Sequence, residues 1–180
     1  SFADGFKTST ASKVGKRCFD IITSFALLMV AWPFMLATTL AIWLEDGLRA
    51  PILFRQERVG KGGRPFKVLK FRSMSVDAEG VGKARWATKN DSRVTRVGNF
   101  IRKTRIDELP QIINVLIGDM AFIGPRPERP EFVKQLSEQI PYYNVRHCVK
   151  PGITGWAQLC YPYGASENDA RQKLQFDLYY

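Results

Sequence analysis

An uncharged, apolar run of 24 residues from Ile21 to Leu44 constrains this chain more than any other feature of its sequence. As a straight helix the run would be about 36 Å long, enough to cross a hydrocarbon core of roughly 30 Å. A signal peptide is a poor fit, because the run is too long and no small-residue cleavage site follows it. A core helix this uniformly apolar would be odd in a chain of 180 residues. The run therefore predicts a membrane segment.

Pro33 lies near the middle of this run, where a proline removes a backbone hydrogen bond and clashes with the preceding turn. The sequence therefore predicts a break or kink at Pro33, with two arms that each reach about 18 Å, roughly one leaflet. A kinked helix that still spans the membrane is the alternative, because bilayers tolerate such helices.

Basic residues flank the apolar run on both sides, and lysine and arginine favour the cytoplasmic side of a membrane. A spanning helix would place one of these flanks on the wrong side. A re-entrant helix-break-helix that enters and leaves through the cytoplasmic face satisfies both, so we favour it. The flanking residues are Lys7, Lys13, Lys16 and Arg17 before the run, and Arg49, Arg55, Arg58, Lys61 and Arg64 after it.

Positive charge is concentrated in the stretch that follows the membrane segment. The chain carries 27 Lys and Arg residues against 17 Asp and Glu residues, a net charge of +10. Residues 51–105 hold 15 of those basic residues and 4 of the acidic ones. This concentration predicts an anionic partner, either nucleic acid, phospholipid or a phosphorylated substrate. The neighbouring membrane segment makes nucleic acid a remote option, so we expect no nucleic-acid partner.

The rarest side chains exclude several classes of protein. One histidine, His147, and three separated cysteines give no zinc-binding spacing. An odd cysteine count without clustering argues against a disulfide framework and favours a reducing compartment. A Ser-His-Asp hydrolase would depend on His147 alone, which we interpret as an ordinary partly buried histidine.

Two elements are predicted between the membrane segment and the middle of the chain. Residues 51–72 predict a β-hairpin, because two apolar stretches flank the glycine-rich turn at residues 60–63. Val94, Val97, Phe100 and Ile101 then recur at helical spacing with basic residues between them. This pattern predicts a short amphipathic helix with a basic polar side.

Asp107 and Glu108 are adjacent carboxylates, predicted to lie in the first turn of a helix that ends at Gly118. The positive end of a helix and the preceding basic residues lower a carboxylate's pKa, so we expect both groups to be ionised. The same place attracts phosphate. An ionised carboxylate there can be a nucleophile on phosphorus or a metal ligand, and the pair can divide these roles. The alternative is capping, with Asp107 as the N-cap and Glu108 on the helix dipole.

Six short motifs occur in a fixed order and together resemble the bacterial sugar transferase family, the monotopic polyprenyl-phosphate phosphoglycosyl transferases. The resemblance covers nearly the whole chain from Lys16 onward, and the combination of motifs is specific although each alone is weak. The motifs are Lys16-Arg17-Cys18-Phe19-Asp20, Phe54-Arg55-Gln56-Glu57-Arg58-Val59-Gly60, Lys70-Phe71-Arg72-Ser73-Met74, Asp107-Glu108-Leu109-Pro110-Gln111, Gly124-Pro125-Arg126-Pro127-Glu128 and Lys150-Pro151-Gly152-Ile153-Thr154-Gly155.

The resemblance implies transfer of a sugar-1-phosphate from a UDP-sugar to a polyprenyl phosphate, usually undecaprenyl phosphate, with Mg²⁺ as cofactor and release of UMP. It implies a site at the cytoplasmic face of the bacterial inner membrane. The reaction would be the first membrane step of exopolysaccharide, capsule, O-antigen or glycoprotein glycan assembly. The sequence leaves the sugar open and is compatible with a homodimer.

The resemblance also implies roles for individual residues. Asp107 matches the nucleophile that forms a covalent phosphosugar-enzyme intermediate, and Glu108 matches the magnesium ligand. Pro33 matches the break in the re-entrant helix. Further residues match known or plausible phosphate contacts, namely Arg102, Arg126, Lys16, Arg17, Lys70 and Arg72.

We therefore predict an α/β protein, mostly helical with a small β-hairpin, in which a re-entrant membrane helix carries a cytoplasmic catalytic region. The expected organisation is a basic lead-in over residues 1–17, the membrane helix over 18–48 and the catalytic region over 49–180. The alternative function is a non-catalytic basic membrane adaptor that binds anionic lipid or nucleic acid. Because relatives usually continue beyond Tyr180, we expect a catalytic region of a longer protein or an end-trimmed chain.

Overall fold

A long N-terminal helix leads into a mixed region of short helices and strands. The computed structural model describes residues 10–75, 91–161 and 167–179, so residues 1–9 of the predicted lead-in lie outside the described residues. The mostly helical α/β fold with a small β-hairpin is confirmed. The helices are α1 (Thr10–Asp46), α2 (Arg96–Lys103), α3 (Gln111–Ile117), α4 (Pro130–Gln139), α5 (Trp156–Cys160) and α6 (Glu167–Tyr179); the strands are β1 (Leu53–Val59), β2 (Pro65–Phe71), β3 (Ala121–Ile123) and β4 (Gly152–Thr154); and short 3₁₀ helices cover Lys61–Gly63, Ile106–Glu108 and Tyr143–Cys148.

α1 runs as one helix of 37 residues, with Pro33 in its interior. By length and composition it is sufficient to cross a membrane, in agreement with the predicted membrane segment. The helix does not end at Pro33, because one proline removes a single backbone hydrogen bond and the rest of so long a helix keeps its own. The re-entrant course of α1 stays a prediction.

The outer surface of α1 is apolar and exposed. Ile22, Met29 and Val30 are 69%, 73% and 68% exposed, and further large apolar side chains along the helix are exposed as well. A contiguous apolar surface of this kind on one element marks contact with lipid or a partner. The surface is consistent with membrane association of the helix.

Arg17 and Asp20 fix the N-terminal part of α1 on the mixed region. Arg17 Nη1 donates to Val115 O and Nη2 donates to Leu116 O, each at 2.6 Å. These carbonyls belong to the last turn of α3, where helix carbonyls lack partners within the helix. Asp20 Oδ1 accepts a hydrogen bond from Phe122 N of β3 at 3.4 Å. The basic residue before the apolar run therefore caps α3.

Glu45 and Asp46 fix the other end of α1 on the same region. Glu45 accepts hydrogen bonds from Arg96 N at 2.8 Å and Val97 N at 3.1 Å, and so caps the start of α2. Asp46 Oδ2 accepts from Arg72 Nη2 at 2.6 Å. Both ends of the apolar helix thus contact one folded unit.

β1 and β2 form the predicted antiparallel hairpin, with Leu53 opposite Phe71 and Val59 opposite Pro65. Buried side chains of β2 connect the hairpin to the helices on either side. Val68 of β2 packs with Val115 and Met120, and Phe71 packs with Ile42 and Ile101. Because Ile42 belongs to α1, the long helix contributes to the core.

A second, parallel strand pair joins β3 to β4, with Ala121 opposite Gly152. The sequence pattern did not predict this pair, because each strand has only three residues. The two segments approach so closely that a Cβ atom on Gly152 would lie 2.2 Å from Gly124 N. Glycine at position 152 is therefore required by backbone contact. This contact fixes the loop that follows β3.

Candidate active site

The acidic pair lies on the 3₁₀ helix Ile106–Glu108, one turn before α3. The predicted position in the first turn of the α-helix is therefore wrong, since α3 begins at Gln111, after Pro110. Gly118 ends α3 with a left-handed φ of 105°, as predicted. Arg105 is the N-cap residue of the 3₁₀ helix and Pro110 is the N-cap residue of α3, and neither side chain makes a capping hydrogen bond. Asp107 is therefore not at an N-cap position. The capping interpretation of the carboxylates finds no support.

Glu108 is a buried carboxylate on which three cations converge. Its Oε1 lies 2.7 Å from Arg126 Nη2, 3.3 Å from Lys70 Nζ and 3.4 Å from Arg105 Nη1. Burial favours the neutral acid, but the hydrogen bond from Arg126 and the charges of Lys70, Arg126 and Arg105 outweigh it and lower the pKa of Glu108 to about 2. Glu108 is therefore ionised at neutral pH, as predicted.

Asp107 is equally buried but differently placed. It is 8% exposed, against 9% for Glu108, and its Oδ1 makes no hydrogen bond to any described residue. Burial raises the pKa of Asp107, and the charge of Lys70 opposes this while that of Glu108 adds to it. The expectation that both carboxyl pKa values are lowered is wrong for Asp107, because desolvation exceeds the effect of its cations. A buried carboxylate oxygen without a hydrogen-bond partner is uncommon in a folded protein and marks this position as a candidate functional group.

Arg126 is positioned by a firmly held loop between β3 and α4. Pro125 and Pro127 flank it in sequence, and each proline restricts its own φ. Arg58 Nη1 donates to Pro127 O at 3.1 Å, and Val59 N donates to Glu128 O at 2.9 Å. The backbone of the loop is thus bonded to β1, which leaves the side chain of Arg126 directed at Glu108.

A buried ion pair supports this loop from its other side. Arg146 Nη2 lies 2.7 Å from Asp177 Oδ2, and both residues are buried. The same Nη2 donates to Arg126 O at 3.0 Å, and Arg146 Nη1 donates to Tyr143 Oη at 2.7 Å. α6 is therefore coupled to the loop that carries Arg126. Sequence reasoning missed this network, because its members are far apart and lack a local pattern.

The other predicted site residues are placed differently. Arg102, in the last turn of α2, is one of the charges that oppose the burial-raised pKa of Asp107. In the described contacts Arg17 and Arg72 hold α1 in place and do not reach the acidic pair. Lys16 is exposed on α1. The structure thus brings Lys70 and Arg126 to the acidic pair and gives Arg17 and Arg72 structural contacts.

His147 is a packing residue, as the sequence indicated. Its ring lies edge-on to Tyr143, with the ring centroids 6.3 Å apart. Burial, together with the charge of Arg146, lowers the pKa of His147 to about 4, so the ring is neutral at physiological pH.

The acidic pair has a donor set that Mg²⁺ accepts. Among the described residues no group of three or more His, Cys, Asp or Glu side chains is placed to hold a metal. Magnesium is commonly held by one or two carboxylates together with substrate phosphates and water. The unpartnered Oδ1 of Asp107 suits such a ligand, whereas both oxygens of Glu108 are bonded by Arg126 in this structure.

These features define a class of protein. A buried acidic pair, ringed by cations and connected to a long apolar helix, suits group transfer on a phosphate or diphosphate near a membrane. Residues 11–180 match the bacterial sugar transferase family, and the chain belongs to this family.

Three relatives illustrate what the chain resembles. It is 51% identical over 165 residues to the UDP-N-acetylgalactosamine-undecaprenyl-phosphate N-acetylgalactosaminephosphotransferase of Aeromonas hydrophila, which covers 92% of this chain and 38% of that protein. It is 43% identical to the UDP-glucose:undecaprenyl-phosphate glucose-1-phosphate transferase of Escherichia coli K12, over 96% of this chain and 37% of that protein. It is 41% identical to the exopolysaccharide production protein PSS of Rhizobium leguminosarum bv. phaseoli, over 92% of this chain and 84% of that protein. The chain thus spans about two fifths of the first two relatives.

Proposed function

We propose that this chain transfers a sugar-1-phosphate from a UDP-sugar to undecaprenyl phosphate and releases UMP. The observation that carries the proposal is the acidic pair, in which three cations hold Glu108 while Asp107 keeps an unpartnered buried oxygen. The names of the relatives, which describe undecaprenyl-phosphate sugar-phosphate transferases, support the same reaction.

Asp107 is the nucleophile in this proposal. A carboxylate oxygen of Asp107 attacks the β-phosphorus of the UDP-sugar, an O–P bond forms, and the bond to the bridging oxygen breaks as UMP leaves with the electron pair. A phosphate oxygen of undecaprenyl phosphate then attacks the same phosphorus. Asp107 leaves with its electron pair, and the product is undecaprenyl-diphospho-sugar.

The cations of the site make this approach of two anions feasible. Arg126, Lys70 and Arg105 are already gathered at Glu108. Positive groups fixed before the reaction stabilise the charge that develops on a transferring phosphoryl group. Glu108 would hold Mg²⁺ beside Asp107, and the bound ion would neutralise charge on the diphosphate.

The contacts of α1 and its basic flanks support a membrane location for the site. Its N-terminal part caps α3, and its C-terminal end caps α2. A helix that crossed the bilayer would put these two ends on opposite sides, whereas both contact one folded unit. These contacts support a re-entrant course of α1, and the basic residues on both sides of the apolar run support a site at the cytoplasmic face of the bacterial inner membrane. A homodimer stays a prediction.

UMP release tests the proposal directly. The protein in nanodiscs is mixed with undecaprenyl phosphate, Mg²⁺ and a panel of UDP-sugars that includes UDP-glucose and UDP-N-acetylgalactosamine. We expect UMP release with at least one donor, its loss in Asp107→Asn and in EDTA, and a phosphosugar adduct on Asp107 in the absence of acceptor. A folded protein that releases no UMP with any donor, or an Asp107→Asn variant with unchanged turnover, would contradict it.

A further inference from the structure

Asn114 binds the free edge of β2 with its side chain. It lies on α3 and is 2% exposed. Its Oδ1 accepts a hydrogen bond from Leu69 N at 2.9 Å, and its Nδ2 donates to Lys67 O at 2.8 Å. In the described sheet β2 pairs with β1 only. The amide of Asn114 therefore bonds the C=O of one residue and the N–H of the residue two further along, as a parallel strand would.

This contact connects two segments of the candidate active site. The residue after Leu69 is Lys70, whose Nζ lies 3.3 Å from Glu108 Oε1. α3, which carries Asn114, begins three residues after Glu108. The side chain of Asn114 thus joins the strand that carries the lysine to the helix that continues from the acidic pair.

A side chain at position 114 makes both bonds only if it is short and carries both a hydrogen-bond donor and an acceptor. Aspartate lacks the donor and glutamine is longer by one methylene, so neither reproduces both bonds. The register of β2 is set by its ladder with β1, whereas the two hydrogen bonds of Asn114 fix the position of β2 along α3. That position holds Lys70, the next residue of β2, beside Glu108.

We propose that Asn114 is a positioning residue that holds β2 in place along α3 so that Lys70 stands against Glu108. The proposal rests on the proposed function, because the lysine is taken to serve the transfer reaction. Asn114 itself is too deeply buried to touch substrate.

A double-mutant cycle tests the proposal. The variants Asn114→Asp and Asn114→Gln are each made in the unaltered protein and in a Lys70→Met background, and kcat and KM for UMP release are measured in nanodiscs. If Asn114 acts through Lys70, each substitution lowers kcat about tenfold or more when Lys70 is present and has little further effect when it is absent. We expect the loss in kcat rather than KM, since the lysine serves the reacting phosphate.

Val115→Ala is the matched control. Val115 is the next residue on α3, is fully buried and packs against Val68 of β2, but its side chain makes no hydrogen bond to the strand. Its effect should be the same in both backgrounds. Equal effects of the Asn114 substitutions in both backgrounds would overturn the proposal. An unaltered protein without turnover would instead contradict the proposed function.

Discussion

Arg126 Nη2 lies 2.7 Å from Glu108 Oε1, so the loop after β3 is joined to the 3₁₀ helix of the acidic pair. The backbone of the same arginine is held from the other side by Arg146. Arg126 therefore has two functions that its place between two prolines did not reveal. Its side chain neutralises Glu108. Its backbone carbonyl is bonded by Arg146, which pairs with Asp177 of α6, so α6 helps to hold Arg126 in place.

Arg126→Lys should lower kcat/KM for UMP release by about a hundredfold. A lysine cannot present the planar fork of donors with which Arg126 reaches both oxygens of Glu108 at 2.7 and 3.4 Å. Arg129→Lys is the control, because Arg129 pairs with exposed Glu131 at 3.6 Å, and its turnover should be unchanged. Equal activity of the two variants would show that the fork is unimportant.

Asp107→Asn should raise the stability of the protein while it removes activity. Burial raises the pKa of Asp107, so folding free energy is lost as the pH rises from the ordinary pKa of 3.8 to the raised value, and the loss is complete above it. The amide should gain about 1 kcal/mol at pH 8. The gain should vanish below the ordinary pKa of 3.8, where the carboxyl is protonated in both folded and unfolded protein. Thermal unfolding of both proteins at pH 8 and below pH 3.8 measures the change in stability. A less stable Asp107→Asn variant at pH 8 would contradict the prediction.

The pH profile of the reaction should have an acid limb above the ordinary aspartate pKa of 3.8. The nucleophile must be ionised, and burial makes ionisation of Asp107 harder. Lys70 opposes that effect, so Lys70→Met should move the limb to still higher pH. Measurements of kcat/KM against pH for both proteins test this. A limb that stays in place without the lysine would mean that another group controls the rate.

A re-entrant α1 should leave both of its ends on the cytoplasmic side. Cys18 is exposed near the start of the helix, and Leu48, just beyond its end, is 79% exposed. Cys148→Ser and Cys160→Ser remove the other two cysteines. In inside-out vesicles an impermeant thiol reagent should then label Cys18 in one variant and the cysteine of Leu48→Cys in a second that also carries Cys18→Ser. Label at only one of the two sites would indicate a spanning helix.

Asp177→Asn should destabilise the protein by about 3 kcal/mol. Removal of one partner leaves Arg146 buried without its counter-ion. Because Arg146 also bonds Arg126 O, UMP release should fall as well. Asp169→Asn is the control on α6, since the carboxylate of Asp169 bonds the Tyr161 hydroxyl near the surface. Unfolding midpoints and turnover for both variants measure the effect, and equal midpoints would contradict it.

Local patterns predicted some elements of this fold, although they missed the short β3–β4 pair. The apolar run gave α1, the glycine-rich turn gave the hairpin, and the left-handed Gly118 ends α3 where expected. Tertiary relationships had no such signal. The bond from Arg17 to α3 and the ion pair of Arg146 with Asp177 join residues that are far apart in sequence. An arginine predicted to bind phosphate can thus be a structural residue.

The pKa values of Asp107 and Glu108 likewise depend partly on sequence neighbours and partly on tertiary packing. Neighbouring cations are visible in the sequence, and they explain why the pKa of Glu108 is about 2. The burial of Asp107 depends on how the 3₁₀ helix packs, and it reverses the direction of the shift. The pKa values of these adjacent carboxyl groups therefore shift in opposite directions, because burial outweighs the nearby cations at Asp107 and not at Glu108.

The attachment of both ends of α1 to the mixed region has a consequence for how the protein assembles. α1 supplies the cap of α3, the cap of α2 and a core side chain, Ile42. Removal of α1 would therefore leave the last turn of α3, the first turn of α2 and part of the core without these partners, so we expect a truncated chain to be less stable. Under the proposed function we therefore expect formation of the active site and membrane insertion of α1 to be coupled, because the same helix serves both.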